Sequence, residues 1–163
     1  LSALMQNKGS LIAMDIYESK LKKLKVRAKR NGAHNIDLRL INSTKPIKKL
    51  KEKADRLLID APCSGLGVLR RNPDSKWKLK PEFLDKIKKT QQHILQDYSK
   101  ILKPGGKMVY ATCSVLPSEN QEQIAKFIAS EEGRQFKLIK EKKIFAHKSG
   151  YDGFYMALLE KPI

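Results

Sequence analysis

The stretch from Asp60 to Arg71, Asp-Ala-Pro-Cys-Ser-Gly-Leu-Gly-Val-Leu-Arg-Arg, constrains this chain more than any other. Just before it, Arg56-Leu57-Leu58-Ile59 is a short apolar run entered from a charged segment, the pattern of a buried strand. Asp60 therefore stands at a strand end. Pro62 has no N–H to continue the ladder and biases Ala61 toward an extended conformation. Cys63 follows on a stiff turn, and Gly65 and Gly67 permit close backbone approach. A carboxylate and a thiol at the carboxyl end of a strand lie where open α/β sheets bind ligands. The same residues also suit a tight turn whose cysteine is inert. A second cysteine downstream decides between these readings.

Upstream, Leu1 to Lys8 has the composition of a helix tail closed by Gly9. Ser10 to Met14 predicts a strand ending at Asp15, which is either a ribose ligand or the cap of the next helix. That helix is expected from Tyr17 to Asn31, with Leu21, Leu24 and Ala28 on one face and Gly32 as its stop. Lys20 to Arg30 is basic without an acidic residue, which fits a solvated face. Ile36 to Ile41 alternates as a strand, and Asn42-Ser43-Thr44 turns away from it. Lys45 to Lys53 reads as a short basic helix or loop.

From Leu66 to Lys80 a long loop is expected, carrying Arg70, Arg71, Lys76 and Trp77. Basic residues around a tryptophan suit phosphate contact with base stacking, although Trp77 equally suits an anchor to the core. Pro81 opens a helix with Phe83, Leu84, Ile87, Ile94, Leu95 and Tyr98 near one stripe, ended by Lys103-Pro104-Gly105-Gly106. Lys107 to Ala111 is the next strand and delivers Thr112-Cys113-Ser114. Pro117 and Ser118 start another helix, with Gln121 placed for a capping box. Strands are expected at Phe136 to Ile139 and at Phe154 to Leu159.

Alternating strands and helices predict an α/β chain with a parallel sheet and helical crossovers. Cys63 and Cys113 then follow the carboxyl ends of consecutive strands, which are commonly adjacent, so both thiols face one cleft. Unrelated buried cysteines have no reason to share such positions. The chain has 163 residues, 40% hydrophobic and 31% charged, which predicts one soluble domain over residues 1–163. No apolar run reaches membrane-spanning length and no signal-like start is present, so a cytoplasmic protein without a membrane partner is expected. The two cysteines lack metal-ligand spacing, which predicts no metal and a reducing compartment. A net charge of +17 favours a polyanion, most simply nucleic acid.

Five motifs in order, Asp60-Ala-Pro-Cys-Ser-Gly, Leu102-Lys-Pro-Gly-Gly, Tyr110-Ala-Thr-Cys-Ser, Ser118-Glu-Asn and Asp152-Gly-Phe-Tyr, resemble the Sun-domain (Fmu-like) RNA cytosine-5 methyltransferases. The resemblance runs from Gly9 to the C-terminus. It implies a Rossmann-like S-adenosylmethionine-dependent methyltransferase sheet with helices on both faces. It also implies methyl transfer to carbon 5 of a cytosine in rRNA or tRNA. By resemblance Cys113 is the nucleophile toward carbon 6, Asp60 holds the ring nitrogen and exocyclic amine, and Cys63 assists release. Asp15 would take the cofactor ribose, Asn42 its adenine, and Asp60 and Pro62 would line the same pocket. Lysines near the cleft are expected to lower the Cys113 pKa, and Trp77 or Phe154 to stack on the flipped base. Arg70, Arg71, Lys76 and Trp77 are the expected RNA contacts.

The family also carries a glycine-rich cofactor loop on a first strand, which normally lies between the strands ending at Asp15 and Asp60. Residues 1–163 show no such loop. Two free strand edges and weak cofactor binding by this chain alone are therefore expected. A non-catalytic RNA-binding module on the same fold is the competing reading. A redox pair fits poorly, since the cysteines are not in Cys-X-X-Cys.

Overall fold

The computed structural model describes residues 1–163. Contacts divide them into two compact units, Leu1–Lys49 and Leu50–Ile163.

In the first unit, strands β1 (Leu11–Asp15) and β2 (Ile36–Leu40) pair in parallel, Leu11 opposite Ile36 and Asp15 opposite Leu40. The helix α1 (Glu18–Arg30) makes the crossover, burying Leu21 and half-burying Leu24 and Ala28. Gly32 stops it at φ +61°, a left-handed conformation that glycine adopts without strain. A single helical turn, α2 (Lys45–Lys48), follows β2. The opening segment is not the expected helix tail but a succession of turns, with Gln6 and Asn7 at positive φ. Tertiary hydrogen bonds override its helical composition: the Asn7 amide donates to the Gly32 carbonyl (2.9 Å) and its side-chain oxygen accepts from the His34 N–H (3.0 Å).

The second unit holds a four-stranded sheet ordered β3 (Ala54–Asp60), β4 (Leu102–Thr112), β6 (Phe154–Glu160) and β5 (Lys137–Ile144). Strand β3 (Ala54–Asp60) is parallel to β4, with Ile59 opposite Tyr110. Between them lie α3 (Ser75–Lys78) and the long helix α4 (Pro81–Tyr98). Strand β4 spans Leu102–Thr112, α5 spans Gln121–Ile128 and β5 spans Lys137–Ile144. After the turn α6 (Ala146–Ser149), β6 (Phe154–Glu160) inserts antiparallel between β4 and β5. Every strand of the two sheets is thus placed, and β1 and β3 each carry the free edge expected of them.

The core sits where α4 and α5 meet one face of this sheet: Leu95, Ile124 and Phe127 against Ile59, Met108, Tyr110, Tyr155, Ala157 and Leu159. Alternation along the strands puts Leu58 on the opposite face, where it is 55% exposed.

Four local expectations are corrected. The Leu66–Lys80 segment is not a structureless loop, since it contains a 3₁₀ turn at Leu66–Val68 and the helix α3. The segment Lys103–Gly106 does not end α4, which gives way to a 3₁₀ turn at Ser99–Ile101; it belongs to β4. There the Gly105 N–H donates to the Lys161 carbonyl (2.7 Å) and the Lys161 N–H to Gly106 (3.0 Å), so pairing with the chain's end overrides a turn-forming sequence. No capping box forms at Ser118: a 3₁₀ turn covers Pro117–Glu119, and α5 begins only at Gln121. Strand β5 runs on to Ile144 because β6 offers it an edge over that whole length.

Candidate active site

The site is built at the carboxyl ends of β3 and β4. Because the Asp60 and Ala111 backbones lie side by side in the ladder, the turns that follow also meet. The Ala61 N–H still donates to the Ala111 carbonyl (2.9 Å) before Pro62 breaks the pairing. Gly65, at φ +73°, reverses the chain into the 3₁₀ turn. Gly67 then passes between two other segments. Its N–H donates to the Cys113 carbonyl (2.8 Å), and its own carbonyl accepts from the Gly153 N–H (2.7 Å). A Cβ on Gly67 would stand 2.1 Å from the Gly153 oxygen and 2.7 Å from the Cys113 oxygen, so only glycine fits.

This stitching brings the sulfurs of Cys63 and Cys113, 50 positions apart in sequence, to 3.3 Å. Both thiols are free and half-buried. They ionise unequally. Either sulfur can donate across this contact; with the Cys63 S–H as donor, Cys113 comes down to about 7, against the opposing effects of burial and the nearby Asp60 charge. Cys63 is pushed up, first by holding that hydrogen bond and then by burial. The expected cause was a lysine, and that is corrected: the partner thiol does it. Asp60 is exposed at the end of β3, beside the pair.

Beneath the thiols lies a group that sequence reasoning missed. Glu119 is 0% exposed. Its Oε1 accepts from the Ser64 N–H (2.8 Å) and the Gln91 amide (3.1 Å). Its Oε2 accepts from the hydroxyls of Ser64 (2.5 Å) and Ser114. Gln91 also donates to the Pro62 carbonyl (2.9 Å), tying α4 to the Cys63 turn. Asn120 accepts from the Thr112 hydroxyl (2.6 Å) and donates to the Ser114 carbonyl (3.0 Å), bracing the Cys113 turn. Two signals were available: Glu119 and Asn120 lie in the Ser118-Glu-Asn motif, to which no role was given, and Gln91 falls at the spacing of Ile87 and Leu95, a polar residue on an apolar stripe.

The other expected residues are placed as follows. Arg70 donates to the Gly150 carbonyl (2.8 Å), and Arg71 pairs with Asp152 at 2.6 Å, so both are engaged within the protein. Trp77 is 79% exposed on α3, with the Lys76 ammonium 4.7 Å from its ring centre; it is not a core anchor. Phe154 is half-buried at the start of β6. In the first unit, Asp15 ends β1; its Oδ1 accepts the Tyr17 N–H (2.8 Å) and Lys20 stands 3.6 Å from Oδ2. Asn42 is exposed just beyond β2. A carboxylate with two oxygens retains acceptor capacity after one N–H bond, so Asp15 suits a vicinal diol such as a ribose.

A family model described as 16S rRNA methyltransferase RsmB/F matches residues 1–160. The chain belongs to the RsmB/F family. It is 34% identical to a probable ribosomal RNA small subunit methyltransferase B of Bacillus subtilis, over 99% of this chain and 40% of that protein. The ribosomal RNA small subunit methyltransferase B of Yersinia enterocolitica is 37% identical over 94% of this chain and 37% of its own length. The chain therefore spans about 40% of the curated relatives it matches. Among solved structures, PH0851 superposes with a TM-score of 0.91 at 31% identity, over 99% of this chain and 39% of that one. NSun6 from Pyrococcus horikoshii with SFG, an S-adenosylmethionine analogue, gives 0.85 at 28%, over 98% and 43%. The fold is accordingly that of the S-adenosylmethionine-dependent methyltransferases.

Proposed function

We propose that this chain is part of the catalytic domain of an RNA cytosine-5 methyltransferase acting on rRNA or tRNA, with residues 1–163 belonging to one such domain in the cytoplasm. The observation that carries the reading is the thiol pair, 3.3 Å apart at the ends of adjacent strands in a family of rRNA methyltransferases. No helix is long and apolar enough to cross a membrane.

Carbon 5 of cytosine is a poor nucleophile. Addition of the Cys113 thiolate to carbon 6, with Asp60 holding or delivering a proton at the ring nitrogen, makes carbon 5 enamine-like, and Asp60 also accepts from the exocyclic amine. S-adenosylmethionine, when bound, supplies the electrophilic methyl group. Asp15 and Asn42 are the residues proposed for its ribose and adenine, and Asp60 and Pro62 are further proposed cofactor contacts. Once Cys113 is bound to carbon 6 its charge no longer holds the proton on Cys63; Cys63, having released that proton to solvent, takes the carbon 5 proton, directly or through a partner, as the Cys113–carbon 6 bond breaks and Cys113 leaves as a thiolate. Trp77 with Lys76, Lys78 and Lys80 offers stacking and phosphate contact to the RNA, while Arg70 and Arg71 shape the neighbouring loop.

The test is adduct trapping with the full-length protein and an rRNA transcript. Cys63→Ala should accumulate a covalent protein–RNA species, and Cys113→Ala should give none. An adduct in Cys113→Ala but not in Cys63→Ala would reverse the assignment. A second reading, RNA binding without catalysis, is favoured for residues 1–163 in isolation by one observation. In their glycine-bearing turn after a strand, Gly65-Leu66-Gly67, the Gly67 N–H and carbonyl are already bonded to Cys113 and Gly153 and are not free for a cofactor.

A further inference from the structure

Each cysteine is followed by a serine, and the two serine hydroxyls end on one oxygen of a single buried carboxylate, that of Glu119. We propose that Glu119 is a positioning residue that clamps the Cys63 and Cys113 turns together, through Ser64 and Ser114, so that the two thiols stay in contact.

The carboxylate is itself held from outside the clamp. The Glu119 carbonyl accepts from the Tyr110 hydroxyl (2.9 Å), and its neighbour Asn120 is bonded to Thr112 and Ser114. Its place is thus set by β4. From there it reaches across to the Ser64 N–H and hydroxyl, drawing the β3 turn to the β4 turn. Gln91 closes the assembly by bonding both the carboxylate and Pro62. Four donors satisfy the two oxygens, as a fully buried carboxylate requires.

A clamp and a charge act with opposite signs on Cys113. The Glu119 charge opposes ionisation of Cys113, whereas the contact with Cys63 promotes it. Removing the charge alone therefore lowers the Cys113 midpoint, and releasing the clamp raises it. The two variants separate these effects. The Oε1 position meets only donors, Ser64 N–H and Gln91 N–H, while the Oε2 position meets hydroxyls that can rotate to accept. In Glu119→Gln the amide oxygen takes the first place and the amide nitrogen the second, which keeps every tether and deletes the charge. Glu119→Ala deletes the tethers as well.

The inference rests on the thiol pair of the proposed function, but its readout is thiol ionisation rather than methyl transfer, so each can fail without the other. The experiment is the rate of Cys113 alkylation by iodoacetamide against pH in the 163-residue chain, followed by peptide mass spectrometry. Wild type should show a midpoint near 7 and Glu119→Gln one no higher. Glu119→Ala should shift it upward by about one pH unit or more, which is roughly tenfold less thiolate at pH values below both midpoints. A Glu119→Ala midpoint that stays or falls overturns the clamp, as does a Glu119→Gln midpoint raised as far as that of Glu119→Ala. Should Glu119→Ala fail to fold, the double variant Ser64→Ala/Ser114→Ala decides. It keeps the Ser64 N–H and Gln91 bonds and removes the hydroxyl tethers, so a raised midpoint supports the clamp and an unchanged one refutes it.

Discussion

Two identical side chains ionise differently here, Cys113 downward and Cys63 upward, because of the hydrogen bond between their sulfurs. With Cys63 as the donor, Cys113 reaches about 7, where an unperturbed thiol titrates near about 8.5. Truncating Cys63 to alanine removes the largest effect that lowers it and leaves burial and the Asp60 charge, which both raise it, ahead of the smaller lowering by a backbone hydrogen bond. The Cys113 midpoint in Cys63→Ala should therefore move from about 7 to above about 8.5. The pH dependence of Cys113 alkylation measures this, and a midpoint unchanged near 7 would remove the donor role from Cys63. The sign follows directly: reactivity at Cys113 rises with pH through its pKa, so at neutral pH the variant reacts more slowly than wild type, and its RNA adduct still accumulates because the release step is lost.

At the scale of elements, α5 shows why packing matters more than propensity. With 8 residues it is far shorter than an isolated helix needs to be. It persists because Ile124 and Phe127 lie in the core and because Phe127 meets Phe136, ring centres 5.3 Å apart, where the chain turns toward β5. Phe127→Ala should cost about 3–5 kcal/mol, the transfer of the ring plus the cavity it leaves. Urea unfolding followed by tryptophan-independent circular dichroism checks this, and a loss below about 1 kcal/mol would mean the site collapses to fill the void. Gly67 constrains another pair of elements, since two backbones approach it from either side.

For the whole molecule, charge and the cofactor are decisive. With a net charge of +17, RNA affinity should fall steeply with salt. If about six phosphates are neutralised, roughly 10³-fold is lost between about 50 and 200 mM salt. Fluorescence anisotropy with an rRNA fragment measures the slope, and binding that is flat over that range would leave the lysines as solvated surface. Calorimetric titration of residues 1–163 with S-adenosylmethionine should show weak or no binding, because Asp15 offers a ribose site while the Gly65–Gly67 turn is already bonded. Tight stoichiometric binding would place the cradle in residues assigned no such part above.

The strand ends at Asp15 and Asp60, the end of β4 to within one residue (Ala111 expected, Thr112 found), and the stops of α1 and β3 were legible in the amino-acid sequence, because apolar runs, glycine and proline act on their own few residues. So was the placing of both cysteines at strand ends. Proximity in the fold settled the rest. The antiparallel insertion of β6 between β4 and β5, the recruitment of Leu102–Gly106 into β4, and the pairing of Arg71 with Asp152 all join residues far apart in the chain. The burial of Glu119 and the ionisation of Cys113 by a thiol 50 positions away do the same. Local propensity contains no information about such partners: hydrogen bonding and desolvation depend on what the folded chain brings near, and that is decided only when the sheet has formed.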